Sequence, residues 1–356
     1  MPFFRAGIDT LRPYLPGRQP APGARVIKLN TNENPYPPSP QALSALRAVD
    51  EDRLRRYPHP FADEFREAVA EVLAVDPTWV LPGNGSDDLL TMLVRAVTGP
   101  SRPVVFPTPT YVLYRTLAEI HGAPVVEIPF DDNFGLPVQP LLAARGALTF
   151  VANPNSPSGT TVSTERLSVL ATALDGLLVI DEAYVAFADD DALRLVRQHP
   201  NVVILRTLSK SHCLAGLRLG FAIAHPTVIE GLAKVKDSYN VGAVSARVGA
   251  AAIRDVAYTG RVVANIKASR TRLAAALETM GCRVWPSQAN FLLMRPPAGD
   301  AERVCRELES HGILVRYFGG TALSDSLRIT VGTEEEQTVL LKTLSTILTG
   351  GATATG

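Results

Sequence analysis

Through the middle of the chain the hydrophobic residues come in short unbroken runs: "RPVVFPTPTY", "APVVEIPF", "ALTFVANPNSPSG", "LLVIDEAY", "VVILRTLSK" and "LRLGFAIAH". Runs of this length, rich in Val and Ile and lacking a polar residue at every second position, predict strands covered on both faces. Between several of them lie stretches such as "TERLSVLATAL", whose apolar residues recur at helical spacing. Strand and helix in alternation predict an α/β unit with a largely parallel central sheet flanked by helices. Such sheets bind their ligands beyond the carboxyl ends of the strands. Four of the runs end in polar, chemically capable residues: Tyr111, Asn155, Asp181 with Tyr184, and Ser209 with Lys210. The pattern therefore predicts one crevice around which these residues gather.

The flanks read differently. Prolines at positions 13, 16, 20, 22, 35, 37, 38 and 40 predict an extended arm over residues 1–40, because proline fixes φ and restricts the residue before it. After about residue 250 come long helical patterns ("GRVVANIKASRTRLAAALETMG") and then "CRVWP", "ANFLLMRP", "HGILVRYF" and "LRITVG", the pattern of a smaller α+β domain. The expected organisation is an arm (1–40) lying on the small domain or a partner, a large domain (41–250), a small domain (251–349) and a disordered tail (350–356).

A chain of 356 residues has room for two such domains. Lys plus Arg and Asp plus Glu both number 35, a balance that favours neither nucleic acid nor an anionic membrane and leaves small molecules or a second copy as partners. Cys213, Cys282 and Cys305 lack metal spacing and cannot all pair, and no stretch has the length of a signal core or a membrane span. The expected setting is the cytoplasm. The six histidines lack ligand spacing, so no metal site is expected, and His212 reads as a loop histidine.

In "PGNGSDDLLTMLVRAV", glycines 83 and 85 precede Ser86, Asp87 and an apolar-periodic helix, a start whose free amides suit a phosphate and which also serves as an ordinary capped helix. The acids of "LLVIDEAY" stand at a strand end, where a carboxylate holds a protonated ring nitrogen or caps a loop. Lys210 follows a buried run and either snorkels to solvent or works as an amine in a cleft. Arg218, between "AGL" and "LGF", suits a phosphate dianion or a structural ion pair. Taken singly, each has a bland explanation. Together they are the groups that pyridoxal phosphate requires: an acid for the ring nitrogen, a lysine for the aldehyde, and a helix start with Ser and Arg for the phosphate.

The order and spacing of "LRPYLPG", "LNTNENPYPPSP", "LRRYP", "GNGSDDLL", "PTYVLY", "NPNSPSG", "DEAY", "TLSKSHCLAGLRLGF" and "LRITVGTEEE" resemble the fold-type I pyridoxal-phosphate aminotransferases, and among them the histidinol-phosphate aminotransferase family. The resemblance implies that Lys210 carries the cofactor as a Schiff base and moves the proton, that Asp181 keeps the ring nitrogen protonated, and that Tyr184 bonds the ring hydroxyl. It implies that Tyr111 stacks on the ring and that the Ser86 and Asp87 amides, Ser209 and Arg218 hold the phosphate. Tyr57 would join them from the neighbouring subunit of a homodimer. Where the family has an asparagine before the proline of "NNPTG", this chain has Ser156; the ring-hydroxyl role passes to Asn155, with Ser156 the other candidate. Arg328 matches the arginine that clamps the substrate carboxylate, and Arg316 and Tyr14 match residues at the phosphate end of the amino donor. The expected reaction exchanges an amino group between histidinol phosphate and the 2-oxoglutarate/glutamate pair in histidine biosynthesis. Aromatic aminotransfer, phosphothreonine decarboxylation and cofactor binding without turnover are its rivals.

Overall fold

The computed structural model describes residues 3, 4, 8, 9, 11, 17–21, 23 and 25–350. Tyr14 and the tail beyond residue 350 lie outside them. Strands follow one another as β1 (Ile27–Lys28), β2 (Val80–Gly83), β3 (Val104–Thr108), β4 (Val125–Pro129), β5 (Leu148–Ala152), β6 (Leu177–Asp181), β7 (Val202–Thr207), β8 (Gly220–Ala224), β9 (Arg283–Val284), β10 (Phe291–Arg295), β11 (Ile313–Leu314), β12 (Arg316–Tyr317) and β13 (Leu327–Thr330).

The large sheet has the order β2-β8-β7-β6-β5-β3-β4. Only β8 runs against its neighbours, pairing antiparallel with both β2 and β7. All six apolar runs are strands of this sheet. Their lack of alternation has a direct cause: on β6 and β7, Leu178, Ile180, Val202 and Ile204 enter the core on one face, while Val179, Val203 and Leu205 enter the core on the other. The edge strand β2 has no counterpart among the predicted strands. It is four residues long and contains Pro82, which an edge tolerates and a central strand does not.

Downstream, β12-β13-β10-β9 form an antiparallel sheet backed by the helices Val256–Thr279, Ala301–Ser310 and Glu334–Gly350. Leu273, Leu277, Leu292, Met294, Leu327, Ile329 and Leu340 share its core. The proline-rich N-terminal segment joins this half through β1, which pairs parallel with β11. Among the described residues no helix is long and apolar enough to cross a membrane.

Candidate active site

The carboxyl ends of β3, β5, β6 and β7 open on a cleft of about 270 Å³, closed from the other side by residues 30–33 and by Arg316, Phe318 and Arg328. Parallel strands deliver Tyr111, Ser156, Asp181, Tyr184, Ser209 and Lys210 to one rim, and the structure brings all of them together with Ser86, Asp87 and Arg218.

Asp181, the last residue of β6, is buried. Its oxygens are met by neutral donors: the Tyr114 hydroxyl at 2.7 Å and the Ala183 amide at 3.1 Å. Burial raises its pKa from 3.8 to about 6, the two hydrogen bonds oppose that rise, and the like charge of Asp87 adds to it. A buried carboxylate held by neutral donors and open to a cleft is short of a cation. Tyr114 is itself wholly buried and stacked on Phe150 at 4.5 Å; burial and Asp181 push its phenol well above the ordinary range, so it remains a donor.

Lys210 Nζ donates to the Thr31 carbonyl at 3.3 Å and lies 5.7 Å from the centre of the Tyr184 ring. The Lys210 carbonyl accepts from the Asn34 amide at 2.9 Å. Segment 30–34 thus braces the lysine from across the cleft.

An anion cradle lies at the start of the helix Ser86–Val97. Gly85, with φ of 83°, leads into it, and no side chain caps it. Arg218 reaches over this start from a left-handed backbone (φ 51°), its guanidinium 3.3 Å from Asp87 Oδ2 and 3.4 Å from Ser209 Oγ, and Tyr111 donates to Asp87 Oδ1 at 3.2 Å. A Cβ on Gly85 would lie 2.6 Å from Arg218 Nη2, and one on Gly220 would lie 2.8 Å from the Ser86 amide. Both positions exclude a side chain, so that Arg218 can approach the uncapped helix start and the Ser86 amide stays unobstructed.

The second cationic group is on the small sheet. Arg316 and Arg328 stand directly opposite each other on β12 and β13. Like charges in such a pair destabilise a sheet, which is the arrangement expected where an anion is to be shared. Arg328 donates to Ser156 Oγ at 3.0 Å and to the Asn30 carbonyl at 3.1 Å, and both guanidiniums lie within 6 Å of the Phe318 ring, at 5.8 Å for Arg316 and 5.7 Å for Arg328.

One expected residue is placed elsewhere. Asn155 does not line the cleft: its side chain is buried between its own loop and the segment after β3, accepting from Thr110 and donating to the Pro109 carbonyl and Ser158. Ser156, one residue on, begins the turn that follows and lines the cleft. Tyr57 is 81% exposed and stacks on Tyr239 at 4.6 Å, outside this chain's own cleft. His212 bonds Ser211 at 3.0 Å and does not line the cleft.

The family model described as aminotransferase class I and II matches residues 24–344. The chain belongs to that family. The fold is that of the fold-type I pyridoxal-phosphate aminotransferases. A protein of Nostoc sp. named histidinol-phosphate aminotransferase 1 is 54% identical over 97% of this chain and 98% of its own length. The histidinol-phosphate aminotransferase of Rhodopirellula baltica is 44% identical over 94% of this chain and 92% of its own. Among solved structures, the histidinol-phosphate aminotransferase of Sinorhizobium meliloti in complex with pyridoxal-5'-phosphate superposes with a TM-score of 0.89 at 28% identity, covering 98% of each chain.

The family's cofactor is pyridoxal phosphate, and the cleft of this aminotransferase fits it: Asp181 lacks the cation that a protonated pyridine nitrogen supplies, and the uncapped helix start, Ser209 and Arg218 offer donors to a phosphate on one wall of the cleft. Residues absent from the sequence-based list also touch this machinery. Tyr114 holds Asp181, and Thr31, Asn32 and Asn34 hold Lys210 and Tyr184. For Tyr114 the available signal was its position three residues after Tyr111 in "PTYVLY", one helical turn from a residue already in the site.

Proposed function

We propose that this chain is a histidinol-phosphate aminotransferase, exchanging an amino group between histidinol phosphate and the 2-oxoglutarate/glutamate pair with pyridoxal phosphate as cofactor, in the cytoplasm and as a homodimer. The observation that carries this reading is the convergence, in one cleft, of Lys210, Asp181 and two separate cationic groups: Arg218 at the helix start and the opposed pair Arg316 and Arg328. The names of the relatives support the choice of substrate.

When bound, the cofactor supplies the electron sink that makes the amino donor's Cα acidic. In this reading Lys210 would hold the cofactor and would serve as the base and acid that moves the proton of the amino donor's Cα. Asp181, starved of a cation, holds the ring nitrogen protonated. Tyr184 would donate to the ring hydroxyl, Tyr111 would cover the ring, and the Ser86 and Asp87 amides, Ser209 and Arg218 would hold the phosphate. We assign no contact with the ring hydroxyl to Asn155, whose amide is occupied by the Pro109 carbonyl and Ser158; Ser156 takes its place on the cleft wall.

Arg328 and Arg316 form the anion site for the substrate. Histidinol phosphate brings a phosphate where glutamate brings a carboxylate, and two adjacent guanidiniums accept either in bidentate fashion. Tyr57, exposed beside Leu54, which is itself 67% exposed, is offered to the cofactor phosphate of a second copy.

Phe318 and Tyr111 give the same cleft an aromatic wall, which suits an aromatic amino acid as donor. Single-turnover mixing of the holoenzyme with L-histidinol phosphate, L-phenylalanine and L-phosphothreonine separates the readings. Conversion of the cofactor to its amine form fastest with histidinol phosphate is the expected result. Faster conversion with phenylalanine, or carbon dioxide released from phosphothreonine, would replace it.

A further inference from the structure

Asn32 sits in the proline-rich segment, 152 positions from Tyr184, yet it is 1% exposed and holds a left-handed backbone with φ of 56°. Its contacts form a chain with a direction. The Asn32 backbone amide donates to Thr330 Oγ1 at 3.0 Å. That hydroxyl has a single proton, which it donates to Asn32 Oδ1 at 3.2 Å. The amide oxygen is thereby fixed toward Thr330, so the nitrogen faces the other way and donates to the Tyr184 hydroxyl at 2.9 Å. Asn290, fully buried, donates to the Asn32 carbonyl at 3.0 Å and clamps the strained backbone in place.

The Tyr184 oxygen therefore accepts from Asn32, and its own proton is left to point elsewhere. Tyr184 lines the cleft, and Asn32 is the hydrogen-bond partner of its hydroxyl. We infer that Asn32, oriented by Thr330, is a positioning residue that forces Tyr184 to donate its proton into the cleft, toward the cofactor's ring hydroxyl oxygen. The inference rests on the proposed role of Tyr184. Without Asn32, the phenol is free to rotate and to act as an acceptor, which would leave the ring oxygen without its donor.

The relay also crosses the molecule. Thr330 and Arg328 are two residues apart on β13, on the same face of the strand, so the hydroxyl that orients Asn32 shares a rigid support with the arginine proposed to hold the substrate anion. Displacement of β13 would move both together.

The test reads the bound cofactor's absorption against pH, a property that packing alone does not set. A donor to the ring oxygen favours its anionic form and holds the apparent pKa of the cofactor chromophore down. In holoenzyme carrying Thr330→Val, which removes the relay hydroxyl at constant shape, the apparent pKa should rise by roughly half to one unit, the size of one hydrogen bond. Asn32→Asp, whose carboxylate would draw the Tyr184 proton to itself, should raise it at least as far, and Thr330→Ser should restore the native value. Tyr184→Phe is the reference. If it shifts the titration while Thr330→Val and Asn32→Asp titrate as wild type, the relay is wrong and the role of Tyr184 stands. If Tyr184→Phe leaves the titration unmoved, the role of Tyr184 fails and the relay with it.

Discussion

Replacing Asp181 with Asn should make the apoprotein more stable while spoiling its site, and the gain should depend on pH in a defined way. The folded carboxyl holds its proton up to about pH 6, whereas the unfolded one releases it near the ordinary value of 3.8. Within that window the unfolded chain binds fewer protons than the folded chain, so the stability of the wild type falls as pH rises through it. A displacement of about two units corresponds to roughly 3 kcal/mol lost by pH 7. Asn does not titrate and escapes the loss. Its amide has one oxygen for the two donors that Asp181 satisfies, the Tyr114 hydroxyl and the Ala183 amide, and the bond it gives up costs about 1 kcal/mol. The net expectation is that Asp181→Asn is about 2 kcal/mol more stable at pH 7.5 and no more stable than wild type at pH 4. Urea unfolding of both apoproteins at matched concentration, at half-unit steps across this range, measures the difference directly, and other titrating groups cancel in it. A difference that does not vary with pH, or no gain at pH 7.5, would refute the picture of Asp181 as a carboxylate buried short of a cation.

Other consequences follow from the cleft geometry. Arg328→Lys, which keeps the charge but loses the fork, should raise KM for the amino donor roughly 10- to 100-fold and change kcat far less, as read by steady-state kinetics. Arg218→Ala should weaken cofactor binding by roughly 100-fold in a titration of apoenzyme with pyridoxal phosphate, and Gly85→Ala should weaken it too, because the new methyl meets Arg218 at 2.6 Å on a backbone that disfavours any side chain. Tyr114→Phe should lower kcat about tenfold with KM little changed, since it removes a bond made to Asp181 and none made to substrate.

The large sheet was legible because strands buried on both faces leave an unbroken apolar signature, and the ends of those strands named most of the site. What sequence could not supply was contact between distant segments. Asn32 and Thr330 are 298 positions apart, and Asn32 and Tyr184 are 152 apart; no local pattern in "LNTNENP" announces those hydrogen bonds. The neighbouring pair Asn155 and Ser156 illustrates a second limit. Motif comparison named the type of residue wanted, but which of two adjacent side chains enters the cleft depends on the twist of one loop. The strand β2 escaped notice for a third reason, since an edge strand tolerates the proline that normally argues against one.

The most direct measurement is to reduce the holoenzyme with borohydride and identify the peptide that retains the cofactor. The account predicts a pyridoxyl adduct on Lys210, lost in Lys210→Ala together with turnover. An adduct on a different lysine, or none at all, would contradict the assignment of this cleft as the active site.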